Sequence, residues 1–348
     1  MGSELVWVMV VIVALLAAGV QVLVQRVLGS TRTHSLQPNR ATAADAQAVA
    51  SAYRGEVRAA FSALAIGGGT AVLLCLIGSW WIDGYGLPYA LASGVGAIVG
   101  LLVYTLCPRP SWSPADHGPA VADLLPRHTT SFARQWVFVL PLLCALALLV
   151  GLLLTGLYSA TDENGLHRVF QRRSLSGWGV EGGLVTDLQY NLSSTGPFPG
   201  WYYGVPVMIC TILLIAMVYW SLHRTARAAR PTTAGLFGAD TSLRSLRTTF
   251  VMAASSAALA FQVAGLAAFT GNVLRASHLD AVPTADLTAV PGSVPVEPGH
   301  TLALIMIVFS LAVAVVAVVL LINAFRVIAK LSSIRRDASR GLHNESVR

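Results

Sequence analysis

The sequence predicts an all-α, polytopic membrane helix bundle: seven transmembrane helices, the N-terminus outside, the C-terminus inside, and a long outer connector between helices four and five. Three observations carry that prediction. Seven apolar runs of 20 to 25 residues, Leu5–Val24, Ala60–Trp80, Leu87–Cys107, Trp136–Ser159, Tyr203–Leu222, Phe250–Leu274 and Thr301–Ala324, contain neither a charged residue nor a histidine. A bilayer core of about 30 Å is crossed by roughly 20 apolar residues as helix, so each run is long enough. The composition agrees, with 55% of the 348 residues hydrophobic and 11% charged, where a soluble domain has about a quarter charged.

The third observation is how the charge alternates. Of the 23 basic residues, all Arg except Lys330, 19 fall within 26–58, 109–134, 224–247 and 326–348; only Arg168, Arg172, Arg173 and Arg275 remain for the other side. The positive-inside rule then sets the orientation. Nine of the 16 acids lie on the outer side, which sharpens the contrast. The formal net charge of +7 is thus a product of topology. The expected partner is the lipid bilayer of the cell membrane, and no nucleic acid.

The elements follow in order. No basic residue precedes Leu5–Val24 and no small-residue cleavage site precedes Arg26, so the first run reads as a retained signal anchor. Ala41 to Tyr53 is rich in alanine and reads as an inner-surface helix that continues through Arg54, Glu56 and Arg58 into the second run; a solvated connector is the alternative. Only Trp81 to Gly86 joins the second and third runs, which makes them antiparallel neighbours. Trp80, Trp81 and Tyr85 sit where an aromatic belt meets the outer headgroups. Gly67, Gly68 and Gly69 in the second run and Ala92, Gly96 and Gly100 in the third remove side chains, and such small-residue stripes let helix backbones approach closely. The domain organisation is a transmembrane domain over 1–327, with an outer cap at 160–202, and a basic cytoplasmic tail over 328–348.

Three stretches carry a family resemblance: Leu125-Pro126-Arg127 followed by Phe132 and Trp136, the segment Pro199 to Pro206 that opens the fifth run, and Asp240 with Leu243-Arg244 before the sixth. The chain resembles a family of uncharacterised actinobacterial integral membrane proteins, often encoded beside GntR-type transcriptional regulators. That resemblance implies a membrane location and a role in envelope or drug response, and supplies no activity or site residues.

Chemistry has two candidate places. The connector from Thr161 to Trp201 gathers acids, an arginine group and aromatic rings, and Gly177 to Gly183 followed by Leu184 to Tyr190 reads as a turn leading into a short strand. Loops of this length are commonly lids or binding surfaces. Trp178 and Tyr190 are candidates to stack on a ligand, and Arg172 and Arg173 to meet it if it is anionic. Inside the membrane only neutral polar groups remain, and Gln262 and Ser256 are the candidates to line a polar pathway; hydrogen bonding between helices is the alternative.

Catalysis, metal ions and cofactors are not expected. There is no Walker A loop, no Gly-x-Ser-x-Gly elbow and no H-E-x-x-H, and no two of the eight histidines are spaced i, i+4. Asp162, Glu163 and His167 read as a solvated acidic turn, and the four cysteines, all in or at the end of apolar runs, as small hydrophobes. The expected function is non-enzymatic: a sensor or accessory subunit of an envelope-response or transport system, whose basic inner face meets a membrane or cytosolic protein. The alternative is a permease component for a neutral or lipophilic substrate, which would need a separate ATPase subunit.

Orientation is directly testable. A reporter fused after Arg348 is expected to be active only on the inner side, and a Gly182→Cys thiol to be labelled only from outside. The reverse pattern inverts the topology.

Overall fold

The computed structural model describes residues 43–81, 84–108, 132, 135–181, 184–229, 231, 234–283 and 289–346. The first apolar run lies outside the described residues. The other six runs are all helical: α1 (Ala43–Trp80), α2 (Leu87–Leu106), α3 (Gln135–Leu157), α4 (Trp201–Arg227), α5 (Phe237–Ser277) and α6 (Gly299–Ser346). Each is long and apolar enough to cross a membrane. Many large apolar side chains face outward, among them Leu76, Leu142, Leu146, Ile212, Ile305 and Leu311. A surface this apolar is what a bilayer covers.

Three helices run far past their apolar runs. The Ala-rich segment and the second run form one 38-residue helix, α1. Helix α5 has 41 residues. Helix α6 has 48, so the basic segment after Ala324 continues the helix as far as Ser346. The physical reason is composition: the polar flanks hold Ala, Leu, Arg and Ser with no proline, and nothing there breaks a helix already nucleated by the apolar run.

The structure is mostly helical but not all-α, because two β-hairpins stand at one end of the bundle. Strands β1 (Ala160–Thr161), β2 (His167–Glu181) and β3 (Leu184–Thr195) form an antiparallel sheet in the order β1-β2-β3. Of the turn expected over Gly177 to Gly183, the residues as far as Glu181 are strand, with a bulge between Leu175 and Gly177, and Gly182 and Gly183 lie outside the described residues. Strands β4 (Leu279–Pro283) and β5 (Ala289–Pro295) pair antiparallel between α5 and α6.

Helix α5 is central, with buried residues from Ala239 to Ser277. It lies antiparallel to α6, where the Ser310 hydroxyl donates to the Ala264 carbonyl at 2.8 Å. Helices α1 and α2 meet at glycine. A Cβ on Gly67 would stand 2.6 Å from the Gly96 carbonyl oxygen, one on Gly96 2.7 Å from that of Gly67, and one on Gly100 2.8 Å from that of Ala63. Gly68 and Gly69 face no neighbour within 4 Å. Contact thus falls on one glycine of the three, because successive helical residues point 100° apart.

Gly96→Leu is therefore expected to lower bundle stability by about 1–3 kcal/mol through overpacking. Gly68→Leu should leave the unfolding temperature in detergent unchanged. Equal behaviour of the two variants would remove the seam.

Candidate functional site

The N-terminal part of α2 borders a cavity of about 350 Å3, within the range that holds small organic ligands. Its walls are helical stripes. Tyr89, Ala90 and Ser93 recur at three or four residues on α2, as do Phe261, Gln262, Gly265, Leu266 and Phe269 on α5. Helices α3 and α4 close the sides, and Pro197-Phe198-Pro199, between β3 and α4, forms the roof.

Gln262 is a buried polar residue among the lining. Its side chain is 7% exposed, and neither Oε1 nor Nε2 has a hydrogen-bond partner among the described residues. Leaving such a group unsatisfied costs about 1–3 kcal/mol. Space for the amide comes from Gly94, where a Cβ would collide with Gln262 Nε2.

At the mouth, Tyr85 holds a left-handed backbone with φ 47°, a region bulky residues avoid and tolerate only when neighbours enforce it. Here they do. The Tyr203 hydroxyl donates to the Tyr85 carbonyl, Asn164 Nδ2 donates to the Tyr85 hydroxyl at 3.1 Å, and the Arg168 guanidinium lies 3.6 Å from the ring centroid. Gly86 follows with φ 82° and starts α2.

The β1–β3 hairpin is strapped to the bundle. Arg172 donates to the Ser277 carbonyl at 2.8 Å and to the Asp280 carboxylate at 3.1 Å. Phe170 packs on Phe198 with ring centroids 5.4 Å apart, and the Phe198 amide donates to the Arg168 carbonyl at 2.8 Å. The roof of the cavity is thereby tied to the hairpin. In the β1–β2 turn the Asp162 carboxylate accepts from the Asn164 and Leu166 amides at 2.9 and 2.8 Å and from Arg168.

The register separates the four cap candidates. Trp178 pairs with Leu188, Tyr190 with Leu175 and Arg173 with Leu192, all on one face of the hairpin; Arg172 pairs with Ser193 on the other and is engaged with the bundle. Tyr190 is well exposed. Gln262 lines the cavity, whereas Ser256, buried on the same helix, is not among its lining residues. Sequence reasoning reads Tyr85 as an aromatic-belt residue and passes over Gly94. The legible signal is the spacing of Phe261, Gly265 and Phe269 around Gln262.

The opposite end of the bundle holds buried charges. Glu56, with no exposed surface, accepts from Arg247 Nε at 2.6 Å and from the Tyr104 hydroxyl. Arg244, 1% exposed, donates to Asp240 at 2.8 Å and to the carbonyls of Thr225, Ala226, Ala228 and Ala229 at 2.9 to 3.4 Å, closing the C-terminal end of α4. The apolar runs are free of charge, but the helices continue beyond them and bury it there. The signal is the i, i+4 spacing of Asp240 and Arg244. No group of three His, Cys, Asp or Glu that could hold a metal ion occurs among the described residues.

No protein family, curated protein or solved structure matches the chain. The functional reading therefore rests on the residues described above.

Burial raises the Asp162 pKa, but hydrogen bonds from Leu166, Arg168 and Asn164, with the Arg168 charge, outweigh it and hold the carboxyl below its ordinary value. A depressed folded-state pKa adds stability that is present above the unfolded value of about 4 and is lost as pH falls through the folded one. Hydrogen exchange of 160–169, corrected for intrinsic rates, should show protection falling below about pH 4, and Asp162→Asn should flatten that dependence. A profile unchanged by the substitution would clear Asp162 of the role.

Proposed function

We propose that this chain is a multi-pass cell-membrane protein that binds a small, mainly apolar ligand at its outer end and acts as a sensor or accessory subunit of an envelope-response or transport system. The observation that carries this reading is the cavity near the hairpin, walled by apolar and aromatic side chains of four helices with Ser93 and Gln262 among its lining residues. Concave, apolar sites with a few convergent polar groups are the usual form of a small-molecule site. The strained Tyr85 at the mouth supports it, since such backbone strain clusters at ligand clamps. The roof is tied to the hairpin through Phe170 and Arg168, so this reading puts recognition beneath the cap.

A permease component for a neutral or lipophilic substrate would use the same cavity, but it must also open the far end. There the buried Glu56–Arg247 pair joins α1 to α5, and Arg244 of α5 holds the carbonyls at the end of α4; breaking a buried pair of this kind costs about 3–5 kcal/mol. That cost favours the one-sided reading. The signal would pass to a protein partner at the basic end, where Arg335 and Arg336 of α6 stand.

The test uses N-phenyl-1-naphthylamine, a neutral fluorophore, with the full chain in nanodiscs. Saturable binding is expected, and Gly265→Trp should abolish it, because a Cβ at Gly265 meets open space and the indole would fill the cavity. Proteoliposomes should show no protein-dependent flux of the dye. Binding that ignores Gly265→Trp overturns the cavity as the site, and protein-dependent flux moves the assignment to the permease.

A further inference from the structure

We infer that the C-terminal end of α4 is a binding site for one anionic phospholipid, whose phosphodiester is held by Arg224 and Arg227 beside Trp220 and whose chain lies along the exposed stripe of the same helix. The site stands at the opposite end of α4 from the cavity near the hairpin, which takes Tyr203 and Val207 of that helix into its wall.

Arg224 and Arg227 lie in the last turn of α4, and both are exposed. Basic side chains in such a turn ordinarily serve the carbonyls that a helix end leaves open. Here that place is taken. Buried Arg244 of α5 donates to the carbonyls of Thr225, Ala226, Ala228 and Ala229. Arg224 and Arg227 are left with no hydrogen bond or ion pair to any described residue. With Trp220, His223 and Ala228 they line an open depression that holds two guanidinium groups and no acid. Guanidinium pairs with phosphate through parallel N–H donors, so a phosphate group is the chemistry that completes this surface.

The position on the helix selects a lipid as the source of that phosphate. The apolar run ends at Leu222, which places both arginines at headgroup level where α4 leaves the bilayer. One turn back, Trp220 is 38% exposed, and its indole N–H has no acceptor among the described residues. Such an amphipathic ring belongs where hydrocarbon meets headgroup. Farther along, Ile209, Leu213 and Ala216 are exposed and share one face with Trp220, Arg224 and Arg227, at steps of three or four residues. From Ile209 to Trp220 the helix rises about 16 Å at 1.5 Å per residue, close to half of a hydrocarbon core of about 30 Å. One lipid of the adjoining leaflet thus finds an apolar track for a chain, a ring for its glycerol and two guanidinium groups for its phosphate. A zwitterionic lipid fits less well, because its ammonium would meet two like charges with no carboxylate in the lining to balance it.

Native mass spectrometry of the full chain in mild detergent tests this with dioleoylphosphatidylglycerol, dioleoylphosphatidylcholine and inorganic phosphate. One phosphatidylglycerol is expected to bind more tightly than phosphatidylcholine and to resist displacement by inorganic phosphate. Arg224→Ala with Arg227→Ala should weaken it about tenfold or more and leave phosphatidylcholine unchanged. Helix content by circular dichroism should be kept, since both side chains are exposed and bonded to no described residue. Arg224→Gln with Arg227→Gln keeps most of each stem and should lose the lipid equally. Arg335→Ala with Arg336→Ala removes the same charge about 16 Å past the apolar run of α6 and should change neither affinity. Undiminished phosphatidylglycerol binding in either Arg224/Arg227 variant overturns the site. Equal weakening by the two arginine pairs reduces it to a general effect of charge, equal binding of the two lipids removes headgroup recognition, and displacement by inorganic phosphate makes the ligand a soluble anion; each of these also overturns the inference.

Discussion

Helix α2 is a partition with almost no thickness, and the rest of the molecule is arranged around that constraint. Gly96 and Gly100 press against the backbone of α1, while Gly94, on the other side of the same helix, yields to Gln262 of α5. No side chain larger than hydrogen fits at any of the three without displacing a neighbour. Van der Waals contact over this seam is the glue available to helices in a bilayer, where lipid tails are as apolar as the interface and the hydrophobic effect gives no preference. Close approach to α1 on one face of α2 and to Gln262 of α5 on the other are thus two results of one pattern of missing side chains.

The two ends of the bundle treat buried polarity in opposite ways. At the basic end, Arg244 spreads its guanidinium over one carboxylate and several main-chain carbonyls, and Glu56 is held by Arg247 and Tyr104. Those groups are buried but satisfied, and they fix how α1, α4 and α5 meet. At the hairpin end the Gln262 amide is left open and Tyr85 is held in a conformation it disfavours. Folded proteins depart from local rules chiefly where they bind or react. The strained Tyr85 on the hairpin side is what supports the proposal that recognition lies there.

Six of the seven apolar runs were legible as helices because length and hydropathy alone decide them; the first lies outside the described residues. The connector was legible as a strand-bearing cap, since alternating residues from Leu184 onward carry the period of two. Its docking was not, because Arg172 meets Ser277 and Asp280 more than 100 residues away and no local pattern encodes that meeting. The buried ion pairs escaped for a different reason. A charge beside an apolar run reads as a solvated flank, and only the continuation of α1 and α5 as uninterrupted helices carries Glu56, Arg244 and Arg247 into the packed core. Gln262 stood out by its mid-span position, but its cavity needed four helices brought together.

Helix α5 has one further consequence. No proline interrupts it from Phe237 to Ser277, and 15 residues separate Arg247 from Gln262, a distance of about 22 Å along the axis at 1.5 Å per residue. The unpaired amide and the buried ion pair are therefore two marks on a single stiff rod. A tilt imposed where Gln262 stands would, as far as the helix stays straight, reach the Glu56 contact at the other end as leverage.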